Sequence, residues 1–213
     1  MQNAKVDADD ANAEDASRET LQTYERHAAQ YAERTSWARS PLVDDLVALT
    51  NPGHRILELG TGPGRDAKDL EEAGLVVDRT DGAASFVGIL IADGHRARVL
   101  DFYADDFGGP YDAVFANAVL LHVHRERLQG VLAVARRATT RGGVLVASFK
   151  KGPSEGWSTQ KLDGRRFFTY WLEDELAAVI RNSGWSDISV TETTSRTSPE
   201  RWITTIAHNR PAR

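Results

Sequence analysis

Residues 56–67 read "ILELGTGPGRDA". A short apolar run enters a loop with glycine at Gly60, Gly62 and Gly64. Such a loop lets the backbone come closer to a ligand than a Cβ-bearing residue would permit. The flanking sequence says where the loop lies. "RILEL", "LVVDRT", "ARVLDF", "YDAVFAN" and "RGGVLVASFK" read as strands. "GRDAKDLEEAG", "AASFVGILIADG" and "RERLQGVLAVARRAT" read as the helices between them. This alternation predicts an α/β fold, a parallel sheet with helices on both faces. Ligands of such sheets bind beyond the carboxyl ends of the strands, where Gly60, Gly62 and Gly64 fall. After the helix "WLEDELAAVIRNSG", "DISVTETTS" and "ERWITTIAHN" follow without a helix between them. They predict an antiparallel hairpin at one sheet edge.

Composition bounds the function. The chain has 213 residues, a net charge of −5 and no cysteine. Disulfides, Cys-ligated metals and thiol catalysis are therefore excluded. The acidic balance argues against nucleic acid or an anionic membrane as the main partner. The polar start is no secretory signal, and no apolar run approaches the ~20 residues of a membrane span. The expectation is a cytoplasmic protein, monomer or homodimer. Residues 1–17 read as a disordered acidic tail, and residues 18–209 as a single domain. Within the domain, residues 18–50 predict two helices. Ser17 is the expected cap of the first, and Ser40, followed by Pro41, that of the second. Residues 151–166, polar and rich in Gly and Lys, predict a long loop.

Acids stand in step with the glycines. Glu58 lies two residues before Gly60, Asp81 closes the second strand, and Asp101-Phe102 close the third. A carboxylate at Glu58 facing the crevice would repel a pyrophosphate and suit a ligand bearing an ammonium and a sulfonium. S-adenosylmethionine (SAM) has both. Asp81 is placed to accept the two ribose hydroxyls of an adenosine. Asp101 is placed to accept from the adenine amino group, with Phe102 packing on its ring.

In these motifs the chain resembles the class I SAM-dependent methyltransferases. "ILELGTGPGRDA" is similar to their glycine motif, "VVDRTDGAASF" to the ribose-binding strand, "VLDF" to the adenine site and "YDAVFANAVLLHV" to the fourth-strand motif. Asp81 is followed by Gly82-Ala83 where the family usually has Asp-x-Ser. The likeness extends to a bacterial subgroup with Tyr24 and Tyr31, Gly64-Arg65-Asp66, Leu120 to Val123, Ser148 to Gly152, Gly164 to Phe167 and a late Trp202. The resemblance implies a Rossmann-like, seven-stranded mixed sheet whose last strand is antiparallel, with N-terminal helices as a lid. It implies a SAM site at Tyr24, Tyr31, Glu58, Gly60, Thr61, Gly62, Gly64, Arg65, Asp81, Gly82, Asp101, Phe102 and Asn117. It implies methyl transfer to a small-molecule acceptor, with oxygen or nitrogen favoured.

Several residues carry two readings each. Arg65 is either a partner for the cofactor carboxylate or Glu58, or a solvated side chain. His122 is either a general base or a loop-orienting histidine bonded to backbone. His124 is a candidate for catalysis or substrate contact. Lys150, Lys151, Arg165 and Arg166, with Trp202, either hold an anionic substrate or are ordinary surface groups. No spacing supports a metal site, and "DFYADDF" reads as a solvated acidic loop. Two other functions remain open. One is an NAD-dependent oxidoreductase, which would share Asp81. The other is a SAM-binding protein without transfer activity.

Overall fold

The structure is a computed structural model that describes residues 2–35, 40–160, 162–194 and 200–210. Seven strands give the core order β3-β2-β1-β4-β5-β9-β8. They are β1 (Arg55–Leu59), β2 (Val76–Asp81), β3 (Ala97–Val99), β4 (Tyr111–Ala116), β5 (Thr139–Lys151), β8 (Ser186–Thr194) and β9 (Arg201–His208). β9 is antiparallel to both β5 and β8, as the predicted hairpin requires. The turn between them, 195–199, lies outside the described residues. Strand order reverses between β1 and β4, which fixes the switch point where a crevice opens.

Period-two alternation divides the core. Ile56, Phe115, Val144 and Val146 pack with α2 (Pro41–Leu49) and α3 (Arg65–Glu72) on one face. Leu57, Leu59, Val114 and Leu145 pack with α5 (Arg125–Ala138) and α6 (Glu173–Asn182) on the other. Ser40 caps α2 as expected, its Oγ accepting from the Leu42 N–H at 3.3 Å with Pro41 in the first turn. The remaining helix of the sheet layers, α4 (Ala84–Ala92), follows β2.

Three expectations are corrected. The segment read as a disordered tail is helical: α1 runs from Gln2 to Thr35. No glycine or proline interrupts that stretch, and alanine and straight-chain residues favour the helix. Ser17 is therefore no N-cap. It lies inside α1, where its Oγ donates to the Tyr103 hydroxyl at 3.1 Å. The third correction concerns residues 151–166. They are not one loop but hold β6 (Glu155–Ser158), which pairs antiparallel with β7 (Arg166–Trp171). β7 then runs parallel to the end of β5 through Lys150↔Tyr170 and Lys151↔Trp171. It takes up the edge of β5 that β4 leaves after Ala116. This hairpin therefore stands over the carboxyl end of β4, beside the switch point. Lys161 lies outside the described residues, and no described helix is long and apolar enough to cross a membrane.

Candidate active site

A cavity of about 600 Å³ opens at the switch point. That is the size of a small-molecule or cofactor site. Its floor is the glycine loop. Gly60 has φ +67°, and a Cβ there would meet Val119 Cγ2 at 2.3 Å. Gly62 has φ +52°, and a Cβ would meet only Tyr31 at 4.0 Å, so its hydrogen faces open space. Both glycines line the cavity.

Asp81 ends β2 at the cavity wall. Its two carboxylate oxygens accept the N–H groups of Gly62 and Ala83, each at 2.8 Å. Burial pushes its pKa up to about 6 despite these donors. Gly82, Asp101 and Phe102 line the same cavity. Asp101 accepts the Tyr103 N–H at 2.8 Å, and Asp105 accepts the Asp101 N–H at 2.8 Å. Asp106 likewise accepts the Gly108 N–H. The acids of "DFYADDF" thus shape their own turn.

The lid is α1. Tyr24 and Tyr31 both line the cavity, their rings edge-to-face at 5.5 Å, and both pack on Phe86 of α4. His27 between them is non-helical (φ −118°, ψ 16°), so α1 bends as it crosses the mouth. Glu25, which sequence reasoning missed, fastens the lid. Its carboxylate accepts from the Ala84 and Ser85 N–H groups at the start of α4, a helix with no side-chain cap of its own. A carboxylate there also suits the helix dipole. The signal was absent locally because cap and helix are 59 residues apart.

Asn117 lines the cavity and is held from two sides. Its Nδ2 donates to Asp66 at 2.6 Å, and its Oδ1 accepts from Ser148 Oγ at 2.8 Å. Ser148 Oγ in turn accepts the Ala118 N–H at 2.8 Å. Ala118 has φ +54°, a conformation that costs a non-glycine residue energy. The Asp66–Asn117–Ser148 chain secures it. Arg65 serves this network instead of facing the cavity, donating to Asp66 at 2.7 Å. Ser148 and Asp66 stood within quoted motifs but only the fold reveals what they hold.

Glu58 lies elsewhere than the sequence suggested. It shares the face of Ile56, two residues before it, and is buried behind the glycine loop. It does not line the cavity. Burial pushes its carboxyl up to about 8, and Oε2 has no hydrogen-bond partner. A carboxyl in that state is mostly neutral at pH 7, so electrostatic repulsion of a pyrophosphate no longer argues against a dinucleotide. Thr61 is buried beside it, and Gly64 packs against Leu90 of α4.

The two histidines separate. His122 lines the cavity, but both ring nitrogens are engaged: Nδ1 with the Phe167 carbonyl at 2.6 Å and Nε2 with the Tyr24 hydroxyl at 2.9 Å. The carbonyl only accepts, so Nδ1 carries the proton and Nε2 accepts from Tyr24. Burial lowers its pKa to about 3. Both ring nitrogens are thus taken up within the fold, the arrangement that the loop-orienting reading expects. His124 stacks on Phe167 at 5.6 Å and does not line the cavity.

The proposed substrate cations are mostly occupied. Lys150 is buried and pairs with Glu200 at 2.7 Å. Its Nζ lies 5.8 Å from the Trp202 ring. Lys151 pairs with Glu173 and with Glu192. Arg165 forms a two-bond pair with Glu19 of the lid, at 2.8 and 2.7 Å, and lies over Trp157. The first two therefore brace strands and the third latches α1.

The fold is that of the Rossmann-like methyltransferase structures, and residues 57–147 match the family described as a methyltransferase domain. Among solved structures, the DhpI–SAH complex is similar with TM-score 0.71 and 23% identity, covering 92% of this chain and 98% of that one. The 1,6-didemethyltoxoflavin-N1-methyltransferase of Burkholderia thailandensis, with 1,6-didemethyltoxoflavin and S-adenosylhomocysteine (SAH) bound, gives TM-score 0.67 and 16% identity, covering 89% and 88%. A possible exported protein of Bordetella parapertussis gives 0.64 and 18%; this match covers 80% of the chain but 66% of that protein. Comparison with curated proteins finds no match.

Proposed function

We propose that this protein is a SAM-dependent methyltransferase acting on oxygen or nitrogen of a small-molecule acceptor. One observation carries the reading. Gly60, Gly62, Asp81, Asp101 and Asn117 converge on one cavity at the switch point, under two lid tyrosines. SAM supplies a methyl carbon made electrophilic by the attached sulfonium. The chain's residues supply binding and exclusion of water. Asp81 is placed for the ribose hydroxyls, Asp101 and Phe102 for the adenine, and Gly62 for close backbone approach. Asn117 and the tyrosines border the remaining space, where an acceptor is oriented. Approach geometry in a dry site supports such a displacement, and no base is required for an acceptor whose reacting atom has already lost its proton. Small-molecule methyltransferases among the structural neighbours agree with the acceptor class.

The test is direct. Calorimetry with SAH should give binding that Gly62→Val removes while the variant stays folded. Incubation with SAM and a panel of phenols, amines and small acids should release SAH. Binding without release from any acceptor would favour the non-catalytic reading. Absence of SAH binding would sink both.

A further inference from the structure

Behind one wall of the cavity lies a buried cation that the cofactor reading does not use. Arg166 opens β7 and is only 4% exposed. Its Nη1 donates to the Tyr24 hydroxyl oxygen at 3.2 Å and its Nη2 to the Gln160 carbonyl. Its Nε is buried without a partner. Among the described residues no carboxylate pairs with it. Burying a cation without an acid is costly, and the flanking rings recover only part of the loss. These rings are Tyr24, 5.6 Å from the guanidinium, and Phe168, at 5.2 Å. Lys150 lies over the same Phe168 ring at 4.1 Å, but Glu200 compensates it.

Arg166 reaches the cavity through Tyr24 and His122, which line it. The bonds run one way: Arg166 donates to Tyr24, Tyr24 to His122, and His122 to the Phe167 carbonyl. Charge in the cavity is thereby divided. Asp81 and Asp101 stand at the ends of β2 and β3, each accepting backbone N–H groups. The lining cations Arg18 and Arg127 lie near Asp15 and the Tyr103 ring, by the β3 end. The β7 side holds the buried guanidinium, and among the described residues no acid pairs with it.

We propose that the uncompensated charge of Arg166, set behind Tyr24, makes this wall a recognition site for an anionic group on the methyl acceptor, a carboxylate or phosphate oxygen, to which Tyr24 turns its hydroxyl proton from His122. The acceptor is then a small organic acid. This rests on the methyltransferase reading, and Arg166 is a positioning residue.

The experiment uses the full chain saturated with SAH, at constant ionic strength. Benzoate and phenyl phosphate are the anionic probes, with benzamide as the neutral control, and binding is followed by calorimetry and thermal shift. The anions should bind at least tenfold more tightly than benzamide. Arg166→Gln should remove that preference, Arg166→Lys should restore part of it, and SAH affinity should change less than twofold in both. Equal binding of benzamide and benzoate by the wild type, or no binding of either anion, overturns the proposal without needing a variant. So does loss of the preference in Arg127→Gln but not in Arg166→Gln. If Arg166→Gln weakens SAH but not 5′-methylthioadenosine, which lacks the carboxylate, the wall holds the cofactor and the proposal is wrong. Failure of the wild type to bind SAH at all strikes the parent reading instead.

Discussion

At the scale of the residue, burial sets the chemistry of two carboxyls. Asp81 is raised to about 6. Two ribose hydroxyls would donate to its ionised form, and bonds to a charged acceptor are worth roughly 1.5–3 kcal/mol each. Asp81→Ala should therefore weaken SAH at least about tenfold by calorimetry. In the wild type, affinity should fall as pH drops through about 6, because protonation removes the acceptor. Unchanged affinity between pH 5 and 8 would place the ribose elsewhere. Glu58 behaves differently. Its folded-state pKa, about 8, lies above its ordinary 4.5. The folded state holds the proton more tightly, so this stabilisation is complete below about 4.5 and is lost as pH rises through about 8. Glu58→Gln cannot ionise, so it should flatten that decline. Relative to wild type it should gain roughly 1–4 kcal/mol between pH 5 and pH 9 in urea denaturation. A parallel pair of pH profiles would show that Glu58 titrates normally.

At the scale of the element, α1 is held across the mouth by bonds from distant parts of the chain. Thr20 Oγ1 accepts the Phe167 N–H, Thr23 donates to the Arg165 carbonyl, Arg165 pairs with Glu19, and Glu25 caps α4. Ser17 is the start of these contacts. Removing residues 1–14 should leave SAH affinity within about twofold, whereas removing residues 1–34 should lower it by an order of magnitude or more, because Tyr24 and Tyr31 go with it. Hydrogen exchange tests the same arrangement. SAH should slow exchange in 20–34, and an added acceptor should slow it in 151–160 and 162–166. Segments indifferent to ligands that bind would be scaffold only. The lid helix was legible from the spacing of Leu21, Tyr24, Ala28 and Tyr31. The β6–β7 hairpin was not. Its first strand, Glu155 to Ser158, carries glycine and little apolar content, and it pairs only because Phe167 and Phe168 stand opposite Trp157 and Gly156. Nor was the latch legible, since Arg165 meets Glu19 across 146 residues of sequence.

At the scale of the whole molecule, the sheet was readable because β1, β4 and β5 carry apolar runs bounded by turn residues, and the glycine loop fixes which end carries the ligand. The placement of charges was not readable. Lys150 and Lys151 look free in sequence, yet Glu200, Glu173 and Glu192 meet them only once β8, β9 and α6 have closed on β5. Glu58 looks ligand-facing until strand alternation turns it into the layer below. With that carboxyl buried, the choice between SAM and a dinucleotide rests on the family match and on the cavity, and the folded protein itself decides it. A ligand that binds only the native state stabilises it by RT ln(1 + [L]/Kd), about 2.7 kcal/mol at a hundredfold excess over Kd. For a chain of this size each kcal/mol moves the melting temperature by roughly 2–4 °C. SAH at that excess should therefore raise the midpoint by about 5–11 °C. NAD at the same concentration should leave it in place, because Arg65 stands where a dinucleotide-binding loop carries its third glycine. A shift with NAD equal to that with SAH would return the dinucleotide reading, and Asp81 would then serve a nicotinamide cofactor.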